Sequence, residues 1–111
     1  MPFDFGDVLL VPFPFTNLAA SKRRPAVVVS NRAYSEVRPD VVIMAVTSQF
    51  RADPNLIETP VTEWQSAGLL KPSTIKPVFA TLEQALVLRR LGSLGNADQV
   101  ALKGAIGHIL G

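Results

Sequence analysis

The chain has 111 residues, 48% of them apolar and 18% charged, with 11 Lys+Arg against 9 Asp+Glu for a net charge of +2. That length supports one domain over residues 1–111, and aliphatic runs such as Val27-Val28-Val29 and Val41-Val42-Ile43-Met44 demand burial rather than disorder. With no cysteine and a single histidine, His108, the sequence excludes disulfide frameworks, thiolate or histidine metal sites and Ser-His-Asp chemistry.

No apolar run approaches the roughly 20 residues of a membrane span. The start, Met1-Pro2-Phe3-Asp4, lacks the basic and apolar regions of a signal peptide. The expectation is a soluble cytoplasmic domain without membrane contact. Val8-Leu9-Leu10-Val11 reads as a buried strand ended by Pro12 and Pro14. A polar loop over residues 14–23 follows, then a β-branched strand from Pro25 to Ser30. Asn31 to Pro39 is irregular with one helical turn, and Val41 to Thr47 is a third buried strand.

Leu56 to Thr59 reads as a short strand. Thr62 to Gln65 has capping-box spacing for a short helix that Gly68 stops. Ser73 to Phe79 is a strand in which Pro77 marks an edge or a bulge, and Leu82 to Leu91 leans towards a helix. In the last segment Asn96 caps a helix, Gln99 completes a capping box, and Leu102, Ile106, Ile109 and Leu110 form its apolar stripe. Short strands with irregular connections and a terminal helix predict a strongly bent sheet or barrel, mainly β with α, and not βαβ units.

Three groups of residues have the chemistry to form a site. Lys22-Arg23-Arg24 precedes Pro25, which biases Arg24 towards extended backbone, so a guanidinium at this junction is placed to grip a phosphate through two hydrogen bonds. Thr47-Ser48-Gln49 sets hydroxyl and amide groups where a buried strand leaves the core, although such residues also end strands through local bonds. Lys71 and Lys76 fall on opposite faces of an unbulged strand, with Lys76 inside it, where a charge also serves to discourage edge pairing. Phe3, Phe5, Phe13 and Phe15 read as core or partner-facing anchors, and His108 as a favourable charge at a helix end. No paired-carboxylate motif or metal-ligand cluster is visible, which leaves no candidate cofactor or metal.

The ordered set Gly6 to Thr16, Ser21 to Ser30, Thr47-Ser48-Gln49, Gly68 to Ser73 and Ala80 to Glu83 resembles the MazF/PemK (Kid-like) toxins of type II toxin–antitoxin systems. The resemblance covers nearly the whole chain, and its most specific part is the Arg-Pro-Ala-Val-Val strand following a Gly-Asp strand. It implies a small SH3-like barrel with short helices and a C-terminal helix, acting as a homodimer. It implies a metal-independent endoribonuclease that cuts single-stranded RNA at short sequences, is held inactive by a cognate antitoxin, and meets operator DNA only through that antitoxin. By position, Arg24 and Thr47 match the family's catalytic residues. Lys22, Arg23, Ser48, Gln49 and Lys76 would contact RNA. Where some members carry an acidic residue, this chain has Val78. Two other readings stand beside this one: a non-catalytic toxin that inhibits a protein such as DNA gyrase, as CcdB-type toxins do, and an inactive antitoxin-binding family member.

Overall fold

The computed structural model describes residues 3–13, 22–49 and 57–111. Six antiparallel strands form one sheet: β1 (Asp7–Phe13), β2 (Lys22–Val28), β3 (Asp40–Thr47), β4 (Thr59–Val61), β5 (Ser73–Glu83) and β6 (Arg89–Ser93), in the order β4-β5-β3-β2-β1-β6. Helix α1 (Arg32–Val37) links β2 to β3, and helix α2 (Asn96–Leu110) closes the chain. The sheet curls into an open half-barrel.

The curl explains the unbroken apolar runs. Val8 and Val27 face one core with Met44 and Leu102, whereas Leu9 and Val28 face a second with Val41 and Ile43. Alternate residues of one run thus serve opposite faces, and both faces are covered. The buried residues therefore form two clusters, one on each face of the sheet. Phe5 packs against the first and Phe3 against the second; the side chains of Phe13 and Phe15 lie outside the described residues.

Two prolines mark strand edges without ending strands. β1 runs through Pro12 to Phe13, contrary to the expected stop. Leu88 N donates to Leu10 O, so β1 turns that side of its backbone to β6 at Leu10 and again two residues on. β6 begins opposite Leu10, so no ladder bond is missed at Pro12. Likewise β2 starts at Lys22, earlier than expected, and its pairing with β3 ends at Ala26, one residue short of Pro25.

Pro77 sits in the anticipated bulge. Met44 pairs with Phe79 and Val46 with Ile75, so β5 fits extra residues opposite Ala45. The expected strand at Leu56 to Thr59 is displaced to β4, because Ile57 has φ 50° and breaks the extended backbone, while Leu56 lies outside the described residues. The helix expected over Leu82 to Leu91 does not form. β5 continues to Glu83, a 3-10 turn spans Gln84–Leu86, and β6 follows. Tertiary pairing wins there: Leu82 is buried opposite Val41, and Gln84 Nε2 donates to the Ser35 and Arg38 carbonyls.

The C-terminal helix is as expected, but its start is not. Gly95 is the N-cap, Asn96 is the first helical residue, and Gln99 Nε2 donates to the Leu94 carbonyl. Asp98 is turned away from its own helix end. Its buried carboxylate accepts from Thr62 N (3.2 Å), Thr62 Oγ1 (2.6 Å) and Glu63 N (3.1 Å). The expected Thr62–Gln65 capping box is therefore supplied from another element. The short helix it was to start is a single turn, closed by Gly68 N to Gln65 O and Leu69 N to Trp64 O around Gly68 at φ 86°. Among the described residues no helix is long and apolar enough to cross a membrane.

Candidate functional site

β2 and β3 are neighbours, yet their ladder stops at Ala26 opposite Ala45 although both strands continue. Beyond that point β2 stays paired to β1, while Val46 and Thr47 stay paired to β5. The β5 bulge adds local twist just where the two pairs part. A cavity of about 540 Å³ fills the split.

Register decides what meets there. Continuing the Ala26–Ala45 pairing by two residues brings Arg24 level with Thr47 on the same side of the sheet. Arg23, Arg24, Thr47, Ser48 and Gln49 all line the cavity. Arg24 is half-buried, and its Nε is shielded from solvent with no hydrogen-bond partner among the described residues. A buried guanidinium N–H without an acceptor is costly, so this group is built to receive one. Thr47 Oγ1 accepts from Gln49 N at 3.1 Å, which bends the chain out of β3 and leaves the hydroxyl proton to donate elsewhere.

Of the other expected residues, Lys22 opens β2 opposite Phe13, but its side chain lies outside the described residues. Lys76 stands in the β5 bulge and is not among the lining residues, and Val78 packs on the second core. Two further cations line the cavity: Lys71, which the sequence paired with Lys76 while only Lys76 was assigned to RNA, and Arg89, which carried no expectation. Lys71 follows the Gly68 turn, and Ser73 Oγ donates to its carbonyl at 2.8 Å. Arg89 opens β6. Its neighbour Arg90 turns the other way and pairs with Asp7 at 3.2 Å. A strand assignment over residues 89–93 would have exposed this alternation in the sequence.

Among the described residues the lining comprises cations, hydroxyls, amides and apolar groups, with no carboxylate or imidazole. Such a set binds anions by charge and directed hydrogen bonds, and offers a hard cation no anionic ligand. Among the described residues no cluster of His, Asp and Glu has metal-ligand geometry. A second hollow of about 390 Å³ lies between Val29, Tyr34, Phe79 and Ile106. Its described lining carries no cation, and two of its acceptors are engaged, Ser30 Oγ by Val42 N and Asn31 Oδ1 by Tyr34 N. The anion-binding chemistry is concentrated in the larger cavity.

Known proteins agree with this architecture. The Mycobacterium tuberculosis toxin MazF-mt6 matches with a TM-score of 0.76 and 21% identity, over 94% of this chain and 95% of that one. An endoribonuclease in complex with its cognate antitoxin, from a mycobacterial species, gives 0.78 at 19% identity over 97% and 94%. A MazE-MazF complex from Deinococcus radiodurans gives 0.76 at 20% identity over 100% and 97%. No curated protein sequence matches significantly. At these identities the solved structures establish the fold alone. The family profile described as PemK-like, MazF-like toxin of type II toxin-antitoxin system matches residues 4–110. Spanning nearly all of the sequence, it shows that the chain belongs to the PemK-like, MazF-like toxins of type II toxin–antitoxin systems.

Proposed function

We propose that the protein is an endoribonuclease that cuts single-stranded RNA at short sequences in the cytoplasm without a metal ion, with Arg24 and Thr47 as its catalytic residues. The observation that carries this reading is the split between β2 and β3, which sets a half-buried guanidinium, its Nε without a partner among the described residues, level with a strand-end hydroxyl. The likeness to a structure described as a mycobacterial endoribonuclease supports it.

The RNA supplies its own nucleophile. The 2′-oxygen attacks the adjacent phosphorus and loses its proton to solvent. The bond from phosphorus to the 5′-oxygen breaks, and that oxygen takes up a proton, leaving a 2′,3′-cyclic phosphate and a 5′-hydroxyl. Arg24 stabilises the charge that develops on the equatorial oxygens, while Thr47 and Ser48 hold the phosphate in line. A guanidinium is a permanent cation that grips its protons firmly, so its part is electrostatic rather than that of an acid. Arg23, Lys22 and Gln49 would contact the flanking nucleotides, with Lys76 further along the surface.

Cleavage of a mixed RNA in the presence of chelator, compared with Arg24→Ala, tests this reading. We expect the variant to lose at least about 10²–10³ in kcat, and a 2′-deoxy sugar at the cut site to block the reaction. Equal survival of the RNA with both proteins, or metal-dependent cutting of the deoxy substrate, would overturn it. The same reading includes a homodimer and a cognate antitoxin that covers the cavity and alone contacts operator DNA. Solved MazE-MazF complexes support the antitoxin. Exposed apolar residues along α2, with Val100 71% and Leu110 67% accessible, support a second subunit.

A further inference from the structure

We propose that Lys71 and Arg89 form a second phosphate-binding subsite, which holds the RNA backbone in the cavity that Arg24 and Thr47 also line; this rests on the ribonuclease reading of the cavity. The two residues are eighteen positions apart but belong to one rigid wall. Gly68 and Gly92 make that possible. A Cβ on Gly68 would collide with the Leu91 carbonyl, and one on Gly92 with the Ala67 carbonyl, so the turn lies backbone to backbone against β6. The turn's closing bonds at Gly68 and Leu69, and the Ser73 hydroxyl on the Lys71 carbonyl, then fix where Lys71 leaves the wall.

Strand alternation aims Arg89. Arg90 is level with buried Leu9 and ion-paired to Asp7, whereas Arg89 is level with Leu10, and Arg89, Leu10 and Leu91 all line the cavity. One arginine of the pair is neutralised and structural. The other, like Lys71, has no salt bridge among the described residues and lines a cavity whose described lining carries no acid. Arg23 and Arg24 line the same cavity from β2, so cations from separate elements share one opening. Like charges gathered in this way repel unless anions lie among them, and several such cations suit a polyanion better than a single phosphate. In a single strand the backbone supplies successive phosphates, and each one neutralised adds to the salt dependence of binding.

The test uses the full chain and an oligoribonucleotide made uncleavable by a 2′-deoxy sugar at the cut site, with affinity measured against salt concentration. Arg89→Gln and Lys71→Gln are each expected to reduce the slope of log K against log salt by about 0.7. KM for cleavable RNA should rise, and kcat at saturating RNA should be retained. Arg89→Lys keeps the charge and should keep the slope. If wild type cleaves RNA but both Gln variants leave slope and KM unchanged, the subsite is wrong and the ribonuclease reading stands. If they lower kcat at an unchanged slope, the residues act in the chemistry and the subsite is equally overturned. A wild type that neither binds nor cuts RNA removes the ribonuclease reading, and the subsite with it.

Discussion

Arg24 owes its position to the residue after it. Pro25 keeps the backbone extended and lacks the N–H that a longer β2–β3 ladder would use, so the strand holds Arg24 firmly while the sheet opens beside it. Thr47 is the counterpart, the last residue of a strand whose hydroxyl both turns the chain and points a proton outward. Replacing it with Val keeps the shape and removes the donor. On the proposed mechanism, Thr47→Val should lower kcat by about tenfold to a hundredfold, as expected for one hydrogen bond to a charged group. KM should change little, and Thr47→Ser should retain most of the rate. The lost bond to Gln49 N is at an exposed turn, so thermal unfolding should show a stability change within about 0.5 kcal/mol. Both residues were legible in the sequence because each carries a local sign, a following proline in one case and a preceding apolar run in the other. Lys71 and Arg89 carry none. Only the Gly68–Gly92 contact between distant segments brings them together, and local patterning does not encode such a contact.

Among the elements, α2 shows most clearly how tertiary bonds displace local rules. Its sequence has the spacing of a self-capped helix, and its length and type were accordingly legible. Its first turn, however, spends Asp98 on the Thr62–Glu63 turn rather than on its own amides. That choice fastens the helix to the segment ending in Leu69 and Lys71, one wall of the cavity. Burial raises the Asp98 pKa, but the Thr62 hydroxyl and the Glu63 and Thr62 amides outweigh it and hold the carboxyl below its ordinary value. A depressed carboxylate contributes stability above its unfolded pKa and loses it as pH falls through the folded value. The wild type should therefore lose this contribution only in acid, below the usual aspartate range. Asp98→Ala removes the acceptor for buried amides and should cost about 1.5–3 kcal/mol at neutral pH. The difference in unfolding free energy between the two proteins should shrink in acid. A difference independent of pH would mean that Asp98 acts through packing alone. The segment from Leu82 to Leu91 fails as a helix for a related reason: its leucines satisfy a helical spacing and a strand edge equally well, and pairing with β3 and β1 decides between them.

For the molecule as a whole, the net charge of +2 describes the site poorly. Arg23, Arg24, Lys71 and Arg89 gather around one cavity with no acid in its described lining, while other charges are spent in pairs such as Arg90–Asp7 and Arg38–Asp40. A surface of this kind attracts any flexible polyanion, and two are relevant to the proposed function: the RNA backbone and an acidic antitoxin segment. Both would rely on the same cations, so they should exclude each other. An acidic antitoxin peptide should raise the apparent KM for RNA without changing kcat, and its inhibition should weaken as salt is raised, because exposed charges are screened within about 10 Å at 0.1 M. Displacement of a labelled uncleavable oligonucleotide by the peptide would show this directly. Arg89→Gln should weaken peptide and RNA together, since it removes a cation common to both. Binding of RNA and peptide at the same time, or inhibition insensitive to salt, would mean that the antitoxin acts from elsewhere. The uncovered apolar residues of α2 and the empty space around Gly104 and Gly107 would then be the surface to examine.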